Sequence, residues 1–414
     1  MAQRLENKTI VLGLSGGIAC YKAAELVRLL ISKGATVRVI MTAAAQQFIT
    51  PLTLQTLSGH PVSTNTFDLT QESEIGHIQL ADRADVVVIA PATANIIGKL
   101  AAGIADDLLT TVLLATRAPV VVAPSMNVNM YENPIVQENI ERLRARGFRI
   151  VDPDEGFLAC GWQGRGRLAD PEALLAEIER TLSPHDLAGE RILVTAGPNR
   201  EPIDPVRFIS NRSTGKMGFA VAAAAWRRGA EVTLIAGPTS LATPYGVVRI
   251  DASTAADMHR AVLDQFDKAT VLLMAAAVAD FKPAHVAPEK LKKGSGRLVL
   301  ELERTNDILA DLAPRKGARI VVGFAAETEQ VVANAERKLR EKNLDLIVAN
   351  DVAGKETGFA VDTNAVTIID RDGCHEAVPL MSKDEVAERI LDRVVQLIQQ
   401  RKPLPAPQKK RRKG

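Results

Sequence analysis

Two stretches of this chain have the residue types that hold a phosphate, and two scattered sets of side chains could do chemistry beside it. The stretches are Thr9-Ile-Val-Leu-Gly-Leu-Ser-Gly-Gly-Ile-Ala19 and Arg191-Ile-Leu-Val-Thr-Ala-Gly-Pro198. In each, a short apolar strand breaks at glycine and a hydroxyl residue before the next element begins. Backbone N–H groups there can approach a phosphate with no Cβ in the way. An imidazole, an amide and a thiol follow the first opening, at His77, Asn127 and Cys160; an amide, a carboxylate and an ammonium follow the second, at Asn211, Asp280 and Lys290. Two openings with different chemistry imply two α/β enzymes in one polypeptide.

The glycine turns do not fit the common nucleotide templates. Gly13-Leu-Ser-Gly-Gly17 lacks the full GxGxxG spacing, and the second strand ends in Met41-Thr42, where a dinucleotide site needs an acid for the ribose hydroxyls. NAD and FAD are therefore disfavoured. A mononucleotide such as FMN presents only a terminal phosphate, for which Ser15, Gly16, Gly17 and the Thr42 hydroxyl suffice. The third strand end, Ala90-Pro-Ala92-Thr93-Ala-Asn95, adds hydroxyl and amide groups at the same sheet edge. In the rear half Ser213-Thr-Gly-Lys216 is followed by Met217 and has Ser210 where a Walker A motif requires Gly, which excludes a P-loop ATPase. Phe281–Gly296 carries Lys290, Lys292 and Lys293 beside glycines, a basic loop able to close over an anion.

The elements that must position these residues follow a βαβ rhythm. Strands are expected at Thr9–Leu14, Thr36–Met41, Val86–Ala90 and Val120–Ala123, then at Ile192–Ala196, Val232–Ala236, Val271–Ala275, Ile320–Phe324 and Leu344–Ala349, with helical patterns between them. Asp152–Arg167 is too long and Gly-rich for an ordinary connection and reads as a lid; Asp170–Leu182 reads as a closing helix. At 414 residues the chain exceeds a single core. The fold class expected is α/β, two doubly wound Rossmann-like domains at residues 1–185 and 186–402 joined through Ser183–Glu190, with a basic disordered tail at 403–414. The composition, 46% hydrophobic and 24% charged with net charge +2, creates no field that points to nucleic acid or membrane. Cys20, Cys160 and Cys374 are odd in number and far apart, which argues against disulfides and a zinc site and fits a reducing cytoplasm. The N-terminus carries both charge signs and reads as neither a signal peptide nor a membrane span.

Several separated motifs then agree with known families. Ser15-Gly-Gly-Ile-Ala19, Gly76-His77-Ile78, Pro91-Ala-Thr-Ala-Asn95, Pro124-Ser-Met-Asn127 and Ala159-Cys-Gly161 resemble, in order and spacing, the flavin-dependent phosphopantothenoylcysteine decarboxylases. Pro205–Gly218, Ala275-Ala-Ala-Val-Ala-Asp280, Pro288-Glu-Lys290, Val322–Glu327 and Lys342–Leu346 resemble phosphopantothenate–cysteine ligase. Together they span nearly the whole chain in the order of the bifunctional enzymes of bacterial coenzyme A synthesis. Ser125 stands where Ala is usual, Trp162 sits in the lid, and Thr305–Ile308 varies at a nucleotide-loop position.

The resemblance implies that, with FMN, the thiol of 4′-phosphopantothenoylcysteine is oxidised to a thioaldehyde, that carbon dioxide leaves to give an enethiolate, and that hydride return yields 4′-phosphopantetheine. His77 matches the family base, Cys160 the acid that protonates the intermediate, and Asn127 the amide that holds the substrate's amide and carboxylate; Ser15, Gly16, Gly17, Thr42, Ala92, Thr93 and Asn95 are the expected cofactor positions. For the ligase it implies activation of 4′-phosphopantothenate by CTP as an acyl-cytidylate, with Mg²⁺, before the amine of L-cysteine attacks. Lys290 matches the lysine of the first half-reaction and Asn211 the amide of the second. Ala275, Ala276, Asp280, Asn306, Asp307, Ile308, Leu309, Phe324, Lys338 and Lys342 match CTP-binding positions. A homo-oligomer that combines trimeric decarboxylase with dimeric ligase contacts is implied. Two other classes stand against it: a non-catalytic flavin-binding regulator, which the presence of both His77 and Cys160 opposes, and a pyridine-nucleotide oxidoreductase, which the missing ribose acid opposes.

Overall fold

The computed structural model describes residues 4–66, 76–157, 161–293, 297–327, 329–351 and 361–400. Cys160 and the basic tail at 403–414 lie outside the described residues. The chain divides into two compact units, Met1–Ser183 and Pro184–Gly414.

In the first unit β1 (Thr9–Leu14), β2 (Thr36–Met41), β3 (Val86–Ala92), β4 (Val120–Pro124) and β5 (Arg149–Ile150) form a parallel sheet in the order β2-β1-β3-β4-β5. Helices α1 (Cys20–Ser32), α2 (Pro51–Ser58), α3 (Gly76–Arg83), α4 (Ala94–Ala102), α5 (Leu108–Ala115), α6 (Val128–Tyr131), α7 (Pro134–Ala145) and α8 (Pro171–Thr181) make the connections and the closing element. Side chains alternate across a strand, so β1 sends Ile10, Leu12 and Leu14 into one core with α1 and α8, and Val11 into the other with α4, α5 and α7. Burial on both faces is why these strands read as continuous apolar runs rather than alternating ones. The strand order reverses between β1 and β3, and the crevice at that point is where open α/β sheets take ligands. The expected lid contains an antiparallel pair, β6 (Asp154–Phe157) with β7 (Gln163–Arg167).

The second unit carries an eight-stranded sheet. Its parallel part is β8 (Arg191–Ala196), β11 (Glu231–Ala236), β12 (Val248–Asp251), β13 (Val271–Met274), β16 (Ile320–Glu327) and β17 (Leu346–Asp351); β18 (Thr363–Asp370) and β19 (His375–Ser382) add antiparallel, in the order β12-β11-β8-β13-β16-β17-β18-β19. Two small ribbons, β9 (Arg200–Pro202) with β10 (Phe208–Ser210) and β14 (Phe281–Pro283) with β15 (Leu302–Arg304), stand outside it. Helices α10 (Ala255–Phe266), α11 (Ile308–Leu312) and α12 (Val331–Glu341) share one core. Helices α9 (Lys216–Arg227) and α13 (Lys383–Gln400) pack on each other.

The sequence reading did not foresee β18 and β19. Gly373, at φ +79°, turns the pair, and β19 contains Pro379, a residue confined to sheet edges because it cannot donate to the ladder.

Buried Arg228, at the end of α9, gathers the pieces of this unit. Its guanidinium donates to Asp186 through Nε (2.9 Å) and Nη2 (2.6 Å) and to Asp392 of α13 through Nη1 (2.8 Å). Those carboxylates hold its charge more firmly than in water. Replacing Arg228 with Ala leaves Asp186, Asp392 and Glu388, whose Oε2 lies 3.4 Å from Arg228 Nη1, without their common partner. Because the carboxylates are partly exposed, about 2–4 kcal/mol should be lost. A urea titration of the variant should show the second unit melting earlier with an unchanged slope; an unaltered midpoint would contradict the assignment.

Candidate active sites

At the reversal point of the first sheet, Ser15 links neighbouring strand ends. Its Oγ donates to the Pro91 carbonyl (2.8 Å) and accepts from the Thr93 N–H (2.9 Å). The hydroxyl is buried and engaged, so it sets the spacing of the β1 and β3 ends. Thr93 caps α4, and Thr42 accepts from the Ala45 N–H (3.2 Å). A Cβ at Gly16 would lie 2.5 Å from the Ala44 Cβ, whereas Gly17 has only the Thr93 methyl within 4 Å, at 3.8 Å. The turn thus packs tightly on one side and keeps open backbone on the other. An anion as small as a mononucleotide phosphate could approach that open side without meeting a Cβ. Ala92 is buried in the sheet and Asn95 is exposed on α4.

Asn127 opens α6, where its Oδ1 accepts from the Asn129 N–H (2.9 Å). Two lid glycines press on this turn. The Met126 N–H donates to the Gly166 carbonyl (2.9 Å), a Cβ on Gly166 would collide with the Met126 carbonyl, and one on Gly164 would lie 2.7 Å from a Val128 methyl. Their φ values of +146° and +153° also suit glycine. Lys22 of α1 fastens the base of the lid: the buried ammonium donates to the Leu168 carbonyl and to Asp170, each at 2.9 Å. Its hydrogen bond holds the Asp170 carboxyl below the usual range. Neither the lid glycines nor Lys22 was singled out from sequence, and only the glycine richness of the segment hinted at them. His77 is half-buried on α3.

In the second unit a cavity of about 720 Å³ gathers Ala275, Ala276, Asp280, Asn306, Asp307, Ile308, Leu309, Phe324, Lys338 and Lys342. Every residue expected to meet CTP except Lys290 lines it. Thr195 accepts from the Ala276 N–H (3.1 Å), and Thr305 donates to the Ala279 carbonyl (2.6 Å), which fixes the small-residue wall. Asn211 ties that wall to the glycine turn. Its Nδ2 donates to the Ala277 carbonyl (2.5 Å) and its Oδ1 accepts from the Ser213 N–H (3.1 Å). Lys342 pairs with Asp307 at the mouth of α11. Lys216 and Lys383, which sequence reasoning did not assign, also line the cavity. Burial pushes the Lys383 ammonium down, Lys216 adding to the effect, while Asp362 opposes it and pairs with Lys216 at 2.6 Å. Lys290 is exposed on its loop. Among the described residues no group of three His, Cys, Asp or Glu side chains could hold a metal ion.

Residues 1–183 match the Flavoprotein family, and residues 187–398 match the DNA/pantothenate metabolism flavoprotein C-terminal domain. The chain is 51% identical over 402 residues to the coenzyme A biosynthesis bifunctional protein CoaBC of Bacillus subtilis (strain 168), covering 96% of this chain and 98% of that one. The chain belongs to this family of coenzyme A biosynthesis bifunctional proteins. The Escherichia coli (strain K12) relative of the same name is 50% identical over 396 residues, covering 94% of this chain and 97% of its own. The crystal structure of the C-terminal domain of a coenzyme A biosynthesis bifunctional protein matches 52% of this chain and 99% of its own, at 43% identity and a TM-score of 0.46.

The two matched family ranges thus correspond to the two units, and the lid contact with the Asn127 turn lies within the first. Gly166→Ala should lift the lid from the Asn127 turn and lower decarboxylation of supplied 4′-phosphopantothenoylcysteine by about 10- to 100-fold through misplacement alone. Pyrophosphate release from CTP by the same protein should stay normal. Equal loss of both activities would mean that the substitution unfolds the chain instead.

Proposed function

We propose that the second unit joins 4′-phosphopantothenate to L-cysteine at the expense of CTP and that the first unit decarboxylates the product to 4′-phosphopantetheine with FMN. The observation that carries the ligase half is the cavity itself. Small residues at the end of β13, the Asn306–Leu309 loop, Phe324, Lys338 of α12 and Lys342 just past its end converge on one space large enough for a nucleotide.

In that reading Lys290 and the cavity lysines neutralise charge as the substrate carboxylate meets the α-phosphorus of CTP and pyrophosphate leaves; Mg²⁺ arriving with the triphosphate would add further charge neutralisation. Asn211 acts on the acyl-cytidylate that remains. Because it also bridges Ala277 and Ser213, an Asp there would set a carboxylate against a carbonyl oxygen and an anionic intermediate together. The cysteine amine then attacks the acyl carbon, the amide forms, and CMP departs.

For the first unit, the Gly16–Gly17 cradle with Thr42 and Thr93 would hold the phosphate of FMN, which supplies the oxidation and re-reduction of the substrate. His77 accepts the proton released as the substrate thiol is oxidised, its imidazole being suited to that exchange near neutral pH. Asn127 holds the substrate's amide and carboxylate beneath the lid, and Cys160 returns a proton to the enethiolate carbon after carbon dioxide leaves. A homo-oligomer built on trimeric first units and dimeric second units, working in the cytoplasm, completes the proposal; no described helix is long and apolar enough to cross a membrane.

Incubation of the purified chain with 4′-phosphopantothenate, L-cysteine, CTP and Mg²⁺, followed by mass analysis, tests the whole reading; absence of 4′-phosphopantetheine would refute it. Lys290→Gln should cut pyrophosphate release by the equivalent of about 3–5 kcal/mol. Asn211→Asp should instead accumulate the acyl-cytidylate in the presence of cysteine. For the decarboxylase, Cys160→Ser should release carbon dioxide yet stall, yielding a product two hydrogens short of phosphopantetheine, because serine is a far weaker acid than cysteine. A normal yield would remove Cys160 from the mechanism. His77→Asn should release no carbon dioxide at all.

A further inference from the structure

Lys290 stands outside the cavity wall on an exposed loop, and an exposed lysine has no reason to hold one position. The chain on either side of it, however, is fastened to a distant turn. The Ala287 N–H donates to the Ile203 carbonyl (3.0 Å), the Leu291 N–H donates to Asp204 Oδ2 (3.1 Å), and Arg207 Nη2 donates to the Leu291 carbonyl (2.8 Å). Asp204 is the centre of this arrangement. It is buried to 3% exposure, and its two oxygens have separate duties. Oδ1 accepts from the N–H groups of Val206 and Arg207, both at 2.8 Å, and so closes its own turn. Oδ2 accepts from Arg207 Nε (3.0 Å) and Nη2 (2.6 Å) and from Leu291. The Arg207 guanidinium and the amides keep this carboxyl far below the ordinary aspartate range, so it stays ionised wherever the protein is folded near neutral pH.

We propose that Asp204 is a positioning residue for the ligase reaction: through Oδ2 it clamps Leu291, together with Arg207, and thereby sets where the neighbouring Lys290 can reach. The inference rests on the role proposed above for Lys290. The clamp is a charge-assisted hydrogen-bond network that bridges 87 residues of sequence, and it acts on the backbone beside the lysine rather than on substrate. It restricts the search of a long side chain without touching the nucleotide. The turn at Asp204 and the loop at Leu291 move together as a result.

The division of labour between the two oxygens gives a selective test. Asp204→Asn keeps an oxygen for the turn amides but sets an NH₂ group where Arg207 and Leu291 both donate, so the turn persists and the clamp opens. In the full-length protein the rate of pyrophosphate release should fall about 10- to 100-fold with little change in the KM for CTP. Hydrogen exchange of amides 289–293 should accelerate while that of β8, β13 and β16 stays as in the parent. In a double-mutant cycle with Lys290→Gln, the Asp204→Asn change should cost nothing further, because the residue it positions is already gone. Normal pyrophosphate release by Asp204→Asn beside a slow Lys290→Gln protein would overturn the clamp and leave the role of Lys290 standing. Additive losses in the double variant would overturn it equally. Normal release by Lys290→Gln itself would remove the lysine from the reaction and the purpose of the clamp with it.

Discussion

Both units depend on how closely backbone can approach backbone at the carboxyl edge of a parallel sheet. The ends of parallel strands point their polar groups one way, and a ligand can use them only if nothing fills the space first. In the first unit Gly16 lies so near Ala44 that a methyl group would be 2.5 Å from its Cβ. In the second, Gly218 of α9 meets Ala196 and the Thr195 carbonyl, and a Cβ there would also fall 2.5 Å from Ala196. The first contact sets the turn after β1 against the turn after β2, the second sets α9 against the end of β8, and the site is what remains uncovered beside them. Substitution at these glycines therefore costs packing and ligand access together, although the residues themselves carry no reactive group.

A close approach fixes distances only if the strand ends cannot splay, and here side chains that look chemical serve as rivets. Ser15 joins β1 to β3 through both its donor and its acceptor. Asn211 joins the Ala277 wall to the Ser213 turn in the same manner. Ser15 is buried, so its bonds are strong for want of water and losing one partner leaves the other with the full desolvation penalty, whereas Asn211 is exposed and holds its two partners by geometry. Such a residue holds geometry first, and any contact with ligand is added to that work.

This explains which parts could be read from sequence. The parallel strands were legible, from Thr9–Leu14 through Val271–Met274, because burial on both faces writes them as unbroken apolar runs. So were the cavity residues at strand ends, since Ala275–Asp280 and Asn306–Leu309 follow strands or caps in recognisable strings. β18 and β19 were not, for in β19 only Val378 is buried outright. Gly164 and Gly166 were visible as composition but not as contacts. The link from Asp204 to Leu291 leaves no local trace, because the partners are 87 positions apart and the acceptor sits in an ordinary turn. Lys383 opens a helix with no motif around it and gains its place only when β19 delivers it beside Lys216.

The charges in the second cavity follow a related logic. Lysines gathered on one cavity wall would repel one another in the folded chain, and burial would add to the cost. The structure answers with carboxylates that can let go. Lys216 is paired with Asp362, whose side chain is 87% exposed, and Lys342 is paired with Asp307, which also caps α11. An exposed carboxylate steadies a lysine at little cost and returns to water without penalty when a phosphate takes its place. A buried one, such as Asp204, cannot do so. Burial thus separates the two kinds of carboxylate: exposed Asp362 is free to release Lys216, while buried Asp204 is held in the frame of its turn.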